Sequence, residues 1–258
     1  MRPQPYIGIT GFTHHDQVSE VLNSSLAGNT DRLVMAGVLV SNRTLRGETN
    51  KWPNRYPRPE LLKNIFPRFK CLLNLIHFNT KEPENLLDDM CKAQDIVGVN
   101  CDGFQLNIAW PDPKVLEKYK TKAQFRRKVV VLQCGSKAIE EVGRNSVRLA
   151  LKVKEYAGLI DYVLVDPSGG YGKEFDCHFA FNCFRHLMEH APDVGAGIAG
   201  GLHAENVSDM LTALLQRFEF SIDAEGKLRN KDDHLDMVLA SDYLRKADRL
   251  FRELKRAA

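Results

Sequence analysis

Eight short apolar runs, most of them followed by a segment with helical spacing, constrain this chain more than any other feature. The runs are Tyr6–Thr10, Leu33–Val40, Cys71–Phe78, Gly103–Asn107, Lys128–Gln133, Asp161–Asp166, Ala196–Ala199 and Phe218–Ile222. Most are continuous and not alternating, the pattern of parallel strands covered on both faces. Between them, Pro83–Val97 carries Leu86, Leu87, Met90 and Ala93 at helical spacing. Lys137–Tyr156 reads as one helix with Ile139, Val142, Val147, Leu149 and Val153 on its apolar face. His203–Gln216 offers Val207, Met210, Leu211 and Leu214, and Asp233–Leu254 reads as a long closing helix. Eight strands alternating with helices is the count of an α/β chain folded as a single (β/α)8 TIM barrel; a doubly wound open sheet would leave strands unplaced. No linker rich in Gly, Ser or Pro divides residues 1–258, so one barrel domain is expected. Its long polar insertion, about 41–59, falls after strand two, on the face where barrels build their sites.

Composition removes several function classes. An apolar fraction of 43% and a charged fraction of 27% are those of an ordinary globular chain. Lys plus Arg is 36 against 33 Asp plus Glu, with no basic run longer than pairs such as Arg126-Arg127, so no nucleic-acid partner is expected. The longest apolar run, Leu33–Val40, has strand length and cannot span a membrane. Six cysteines form no Cys-x-x-Cys pair, and Met-Arg-Pro-Gln-Pro leads into a strand without a secretory core. These features predict a reduced, cytoplasmic protein; they carry no information on oligomeric state.

The residues that follow barrel strands form the usual ligand site. Here they include Thr10-Gly11, Ser41-Asn42-Arg43, Asn79, Asn107, Cys134-Gly135, Asp166, Gly200-Gly201 and Asp223, a polar and Gly-rich set. Ala199-Gly200-Gly201-Leu202 and Ile222-Asp223-Ala224-Glu225-Gly226 fall after strands seven and eight, where barrels commonly hold phosphate. Glycine there lets backbone amides approach an anion; the plainer alternative is a set of turn residues.

Five segments, in order along the chain, resemble those of phosphoribosylanthranilate isomerases, the Amadori-rearrangement enzymes of tryptophan synthesis. Asp166-Pro-Ser-Gly-Gly-Tyr-Gly-Lys-Glu-Phe-Asp176 is similar to that family's loop after strand six. Gly8-Ile-Thr10, Arg55-Tyr56 with Pro59-Glu60, Gly103-Phe-Gln-Leu-Asn107, and Ala199-Gly-Gly-Leu202 with Glu205-Asn-Val207 resemble further family segments. The resemblance implies a barrel that binds or isomerises a phosphorylated sugar-type small molecule, without a cofactor. It makes Asp166 the acid that protonates a ring oxygen and Arg55 the anchor of a carboxylate. Thr10, Gln105, Asn107, Gly169 and Gly170 become further ligand contacts, and Gly200, Gly201, Asp223 and Gly226 the phosphate site.

The departures from that pattern carry as much weight. The position of the family's basic Cys is Ile7, which cannot accept a proton, and its His after Gln-Leu is Asn107, which cannot titrate. The Ser-Ser-Gly after strand eight is Ala224-Glu225-Gly226, placing a carboxylate where a phosphate would be repelled. His14 or His15 offers a substitute base, or else His15-Asp16 simply opens helix one. A family member that has lost catalysis and serves as a ligand-binding or interaction protein is the alternative to an active isomerase. Cys183, His186 and His190 have a spacing that zinc can use, but with Phe184, Leu187 and Met188 interleaved they read as an ordinary outer helix, and no metal is expected.

Overall fold

The computed structural model describes residues 2–25, 32–167 and 176–257. Eight parallel strands close into a barrel in sequence order: β1 (Tyr6–Thr10), β2 (Leu33–Ser41), β3 (Leu72–Asn79), β4 (Gly103–Leu106), β5 (Val129–Cys134), β6 (Tyr162–Val165), β7 (Gly195–Ala199) and β8 (Ser221–Ala224), the last pairing back on β1. The helices around it are α1 (His15–Ser25), α2 (Asn42–Leu45), α3 (Leu86–Val97), α4 (Pro113–Thr121), α5 (Ser136–Glu141), α6 (Ser146–Lys154), α7 (Cys177–His190), α8 (Val207–Leu215) and α9 (Met237–Ala257). Side-chain oxygens of Asp112, Asn145 and Asp176 cap α4, α6 and α7 by accepting from Lys114, Arg148 and Phe179 amides. Among the described residues, no helix is long and apolar enough to cross a membrane.

Because side chains alternate along a strand, each strand feeds two cores. Ile7, Ile9, Val34, Ile76, Phe104, Val130, Val163 and Ile222 face outward and join the helices in one large apolar layer. Tyr6, Met35, Leu73, Leu75, Val131, Tyr162 and Leu164 face inward and fill the lower barrel. Fully burying a Val, Leu or Ile side chain contributes about 1.5–3 kcal/mol, so these two layers carry most of the stabilisation.

Three sequence expectations change at this level. The helix expected over Lys137–Tyr156 is two helices: Gly143 (φ 68°) and Arg144 (φ 49°) turn left-handed after α5, and Asn145 starts α6 afresh. Apolar spacing runs through this break, which is why periodicity alone reads it as continuous. Strand eight lies at Ser221–Ala224, not Phe218–Ile222: Phe218 instead packs edge-on against Phe181 and Phe184 outside the barrel. Asp223 is therefore inside a strand and not in the loop after it. The closing helix begins at Met237, and the residues from Asp233 to Asp236 are a loop. Arg55 and Asn54 of the insertion after β2 reach that loop, at Asp233 and at the Asp232 carbonyl.

Candidate functional site

Above the apolar filling, six of the eight strands turn a polar side chain inward. Thr10, His77, Gln105, Gln133, Asp166 and Asp223 each come from a different strand or its end and are all at least nine-tenths buried. Gln105 Nε2 sits at their centre, 2.9 Å from Asp223 Oδ2, 3.1 Å from Gln133 Oε1 and 3.2 Å from His77 Nδ1. Gln133 Nε2 donates to Asp166 Oδ2 at 3.0 Å. Thr10 Oγ1 lies 3.1 Å from both oxygens of Asp223 and donates to that carboxylate. A hydrogen-bonded chain thus joins Asp223 to Asp166 through two amides, with His77 attached at its middle.

Space for this chain comes from missing side chains. A Cβ on Gly8 would lie 2.8 Å from Asp223 Oδ1 and 2.7 Å from Met35 Cε, and one on Gly37 would collide with Thr10 Oγ1. Gly8 is thus the inward residue of β1 at this height. Ile7, the position matched to the family's basic Cys, points the other way, into the helix-facing layer. The change at Ile7 removes nothing from the interior.

Burial sets the protonation of the two innermost groups. Asp223 is pushed up to about 7, chiefly by desolvation, with hydrogen bonds from Gln105 and Thr10 opposing and the charges of Glu225 and Asp166 adding. Burial lowers His77, against the smaller opposing pull of Glu225 and Asp166. A neutral His77 whose Nδ1 accepts from Gln105 carries its proton on Nε2.

The polar layer is the floor and wall of a cleft of about 560 Å³ at the C-terminal mouth of the barrel. His77, Asn79, Lys81, Asn107, Gln133, Lys137, Asp166 and Glu225 line it. An annex of about 690 Å³, walled by the β2 insertion with Trp52 and Tyr56, shares Asn79, Thr80 and Lys81 with it. On the β8 side, Arg229 Nη2 donates to Glu225 Oε1 at 3.0 Å and Arg55 Nη1 to the same oxygen at 3.3 Å. Arg55 Nε also pairs with Asp233 Oδ2 at 2.7 Å.

Against this geometry the expected residues separate. Asp166 and Asn107 line the cleft. Thr10 and Gln105 are fully buried beneath it, Thr10 hydrogen-bonded to Asp223 and Gln105 within hydrogen-bond distance of Asp223 and His77. Arg55, expected to hold a carboxylate of the ligand, is already paired with two carboxylates of the chain. Asp223, expected in the phosphate loop, has its side chain in the barrel interior. Gly200 and Gly201 form a left-handed turn, with the Asn206 side chain donating to the Gly201 carbonyl and accepting from the His203 amide. Gly226 opens a single 3-10 turn, Gly226–Leu228. Gly169 and Gly170 lie outside the described residues. His15 starts α1, and neither it nor His14 lines the cleft. Cys183 is fully buried in the core; Glu189 takes its place beside His186 and His190, their ligand atoms within 4.8 Å.

Sequence reasoning overlooked His77, Gln133 and Arg229. His77 had a signal: it shares inward parity with Leu73 and Leu75 and is the first polar residue on that face of β3. It also supplies Asp166 with a titratable neighbour on the same cleft, which Ile7 and Asn107 had suggested was missing.

No family model matches the chain, and no curated protein matches it. Solved structures do. Phosphoribosylanthranilate isomerase from Pyrococcus furiosus superimposes with a TM-score of 0.63 at 16% identity, covering 95% of this chain and 99% of that one. The enzyme from Thermotoga maritima gives 0.61 at 19% identity, covering 95% and 100%. A native KDPGal structure gives 0.55 at 14% identity, covering 99% and 100%. At such identities the likeness is one of architecture: the chain is a closed (β/α)8 barrel whose fold is related to that of the phosphoribosylanthranilate isomerases.

Proposed function

We propose that the chain is a divergent relative of those isomerases, an enzyme that moves a proton within a phosphorylated, sugar-type small molecule. The observation that carries this reading is the pairing of Asp166 and His77 on one cleft wall, each held by an interior glutamine. Proton transfer between carbon and oxygen needs an acid and a base positioned on the substrate, and a preorganised pair of this kind contributes on the order of 10²–10⁴ in rate. Asp166 gives its proton to the ring oxygen as the ring opens. The resulting carboxylate takes the proton from C2 to give the enol, hands it to C1 and recovers the O2 hydroxyl proton as the ketone forms, so Asp166 ends as it began. Neutral His77 donates from Nε2 to the substrate oxygen on which charge builds, as a preorganised donor that need not change its own charge. Asn107 and Asn79 offer hydrogen bonds to hydroxyl groups.

A binding protein without activity, the other reading, would rest on the absent thiol at position 7. Ile7 faces away from the cleft, so its identity does not bear on the chemistry there. The test follows the fluorescence of phosphoribosylanthranilate, and the interconversion of ribose 5-phosphate with its ketose, in the parent chain and in Asp166→Asn. Turnover in the parent with a loss of at least about a hundredfold in the variant is expected. Equal rates, or none in either for both compounds, would contradict the proposal.

A further inference from the structure

We infer that Glu225 is a built-in anion filling the place a phosphate would take on the β8 side, and that a ligand's own phosphate sits across the cleft between Lys81 and Lys137. The inference rests on the acid–base reading above and adds the direction in which the substrate lies.

Two guanidinium groups converge on one oxygen, Glu225 Oε1, from 3.0 Å (Arg229) and 3.3 Å (Arg55). Arg229 has only 3% of its side chain exposed and is wedged against Gly11 at the end of β1. Two cations held this close require an anion between them, and here the chain supplies it. The loops after strands seven and eight are where barrels commonly place a ligand's phosphate. A phosphate arriving there would meet the Glu225 carboxylate and would have to displace it from both arginines. Arg229 Nε, buried without a hydrogen-bond partner, shows that the cluster still holds unused donor capacity.

The opposite rim has the reverse character. Lys81, in the loop after β3, and Lys137, at the start of α5 after β5, line the same cleft on either side of Asn107. Lys137 has Glu141 at 3.9 Å, and both of these groups are largely in solvent. Lys81 has no ion pair among the described residues. The cleft is therefore polarised, with open cations towards β3 and β5 and carboxylates towards β6 and β8. A sugar monophosphate placed with its phosphate at the lysines lays its other end towards Asp166 on the β6 side, with His77 lining the same cleft.

Calorimetric titration of the full chain with ribose 5-phosphate and with inorganic phosphate tests both halves. Lys81→Met and Lys137→Met should each weaken ribose 5-phosphate about tenfold, with salt weakening the parent similarly. Glu225→Ala should bind inorganic phosphate at least about tenfold more tightly than the parent, and adding Arg55→Met should cancel that gain. Should Glu225→Ala not fold, Glu225→Gln, which keeps the bulk and an acceptor, is expected to show the same gain in smaller measure. Unchanged ribose 5-phosphate binding in both lysine variants, or a loss on Gly226→Ala instead, would overturn the placement. So would a parent that binds ribose 5-phosphate no better than neutral ribose. Absence of a phosphate gain in both Glu225 variants would overturn the role of Glu225. Turnover that persists while these binding results fail would leave the isomerase reading standing, and lost turnover with the binding results intact would remove that reading alone.

Discussion

The two rims of the cleft are built on opposite terms. Towards β8 and β1, Arg55, Arg229, Glu225 and Asp233 pair with one another, and the guanidinium of Arg229 is almost wholly removed from water. Towards β3 and β5, Lys81 and Lys137 stand in solvent, and among the described residues their one ion pair is Lys137 with Glu141 at 3.9 Å. Paired, buried charges have their interactions already made and so define structure, since removing one partner strands the other. Open charges contribute little to folding and remain available to a ligand. The mouth of this barrel thus divides into a rim whose charges are paired and a rim whose charges stand open.

Breaking the paired rim should give the largest effects. Arg229→Met keeps the length of the stem but leaves Glu225 with only Arg55; unfolding in urea should show a loss of about 2–3 kcal/mol. A loss below about 0.5 kcal/mol would mean the cluster is not structural.

Asp223 lies under that rim and feels Glu225 and Asp166. It holds its proton more tightly in the folded protein, at about 7, than at the ordinary carboxylate value of 3.8. Its contribution to stability is fully present below about pH 4 and is lost as pH rises towards 7. Asp223→Asn, which cannot ionise, should flatten that decline and exceed the parent's stability at pH 8 by about 2–4 kcal/mol, while matching it within about 1 kcal/mol at pH 4. A variant less stable than the parent at pH 8 would contradict this account of the interior.

Smaller effects sharpen the contrast. Arg55→Ala, removing a partner that is about a quarter exposed, should cost up to about 1 kcal/mol, and less in high salt. Lys81→Met should change stability by no more than about 0.5 kcal/mol. A substantial loss in Lys81→Met would erase the distinction between the rims.

The barrel was legible because its strands are buried on both faces and read as apolar runs. The site was legible only in part, because reading the residues after each strand looks one layer too high. The buried polar groups His77, Gln105, Gln133 and Asp223 sit within strands, at inward parity, and Thr10 is the last residue of its own. Strand eight misled for a physical reason: Phe218 and Phe220 are as apolar as strand residues but serve the outer layer, and that shift moved Asp223 out of the strand. The Arg55–Glu225 contact joins segments far apart in sequence, and nothing local marks it. Ile7 shows the converse case, a position that aligns with a motif residue while its side chain joins the helix-facing core.

The central proposal is that Asp166 moves a carbon-bound proton while His77 donates a hydrogen bond to the substrate. Incubating phosphoribosylanthranilate or ribose 5-phosphate in D2O and following C2 by NMR tests it without requiring a completed reaction. Deuterium should enter C2 with the parent chain and at least about a hundredfold more slowly with Asp166→Asn. Deuterium entering equally with both proteins, or with neither for both compounds, would contradict the account.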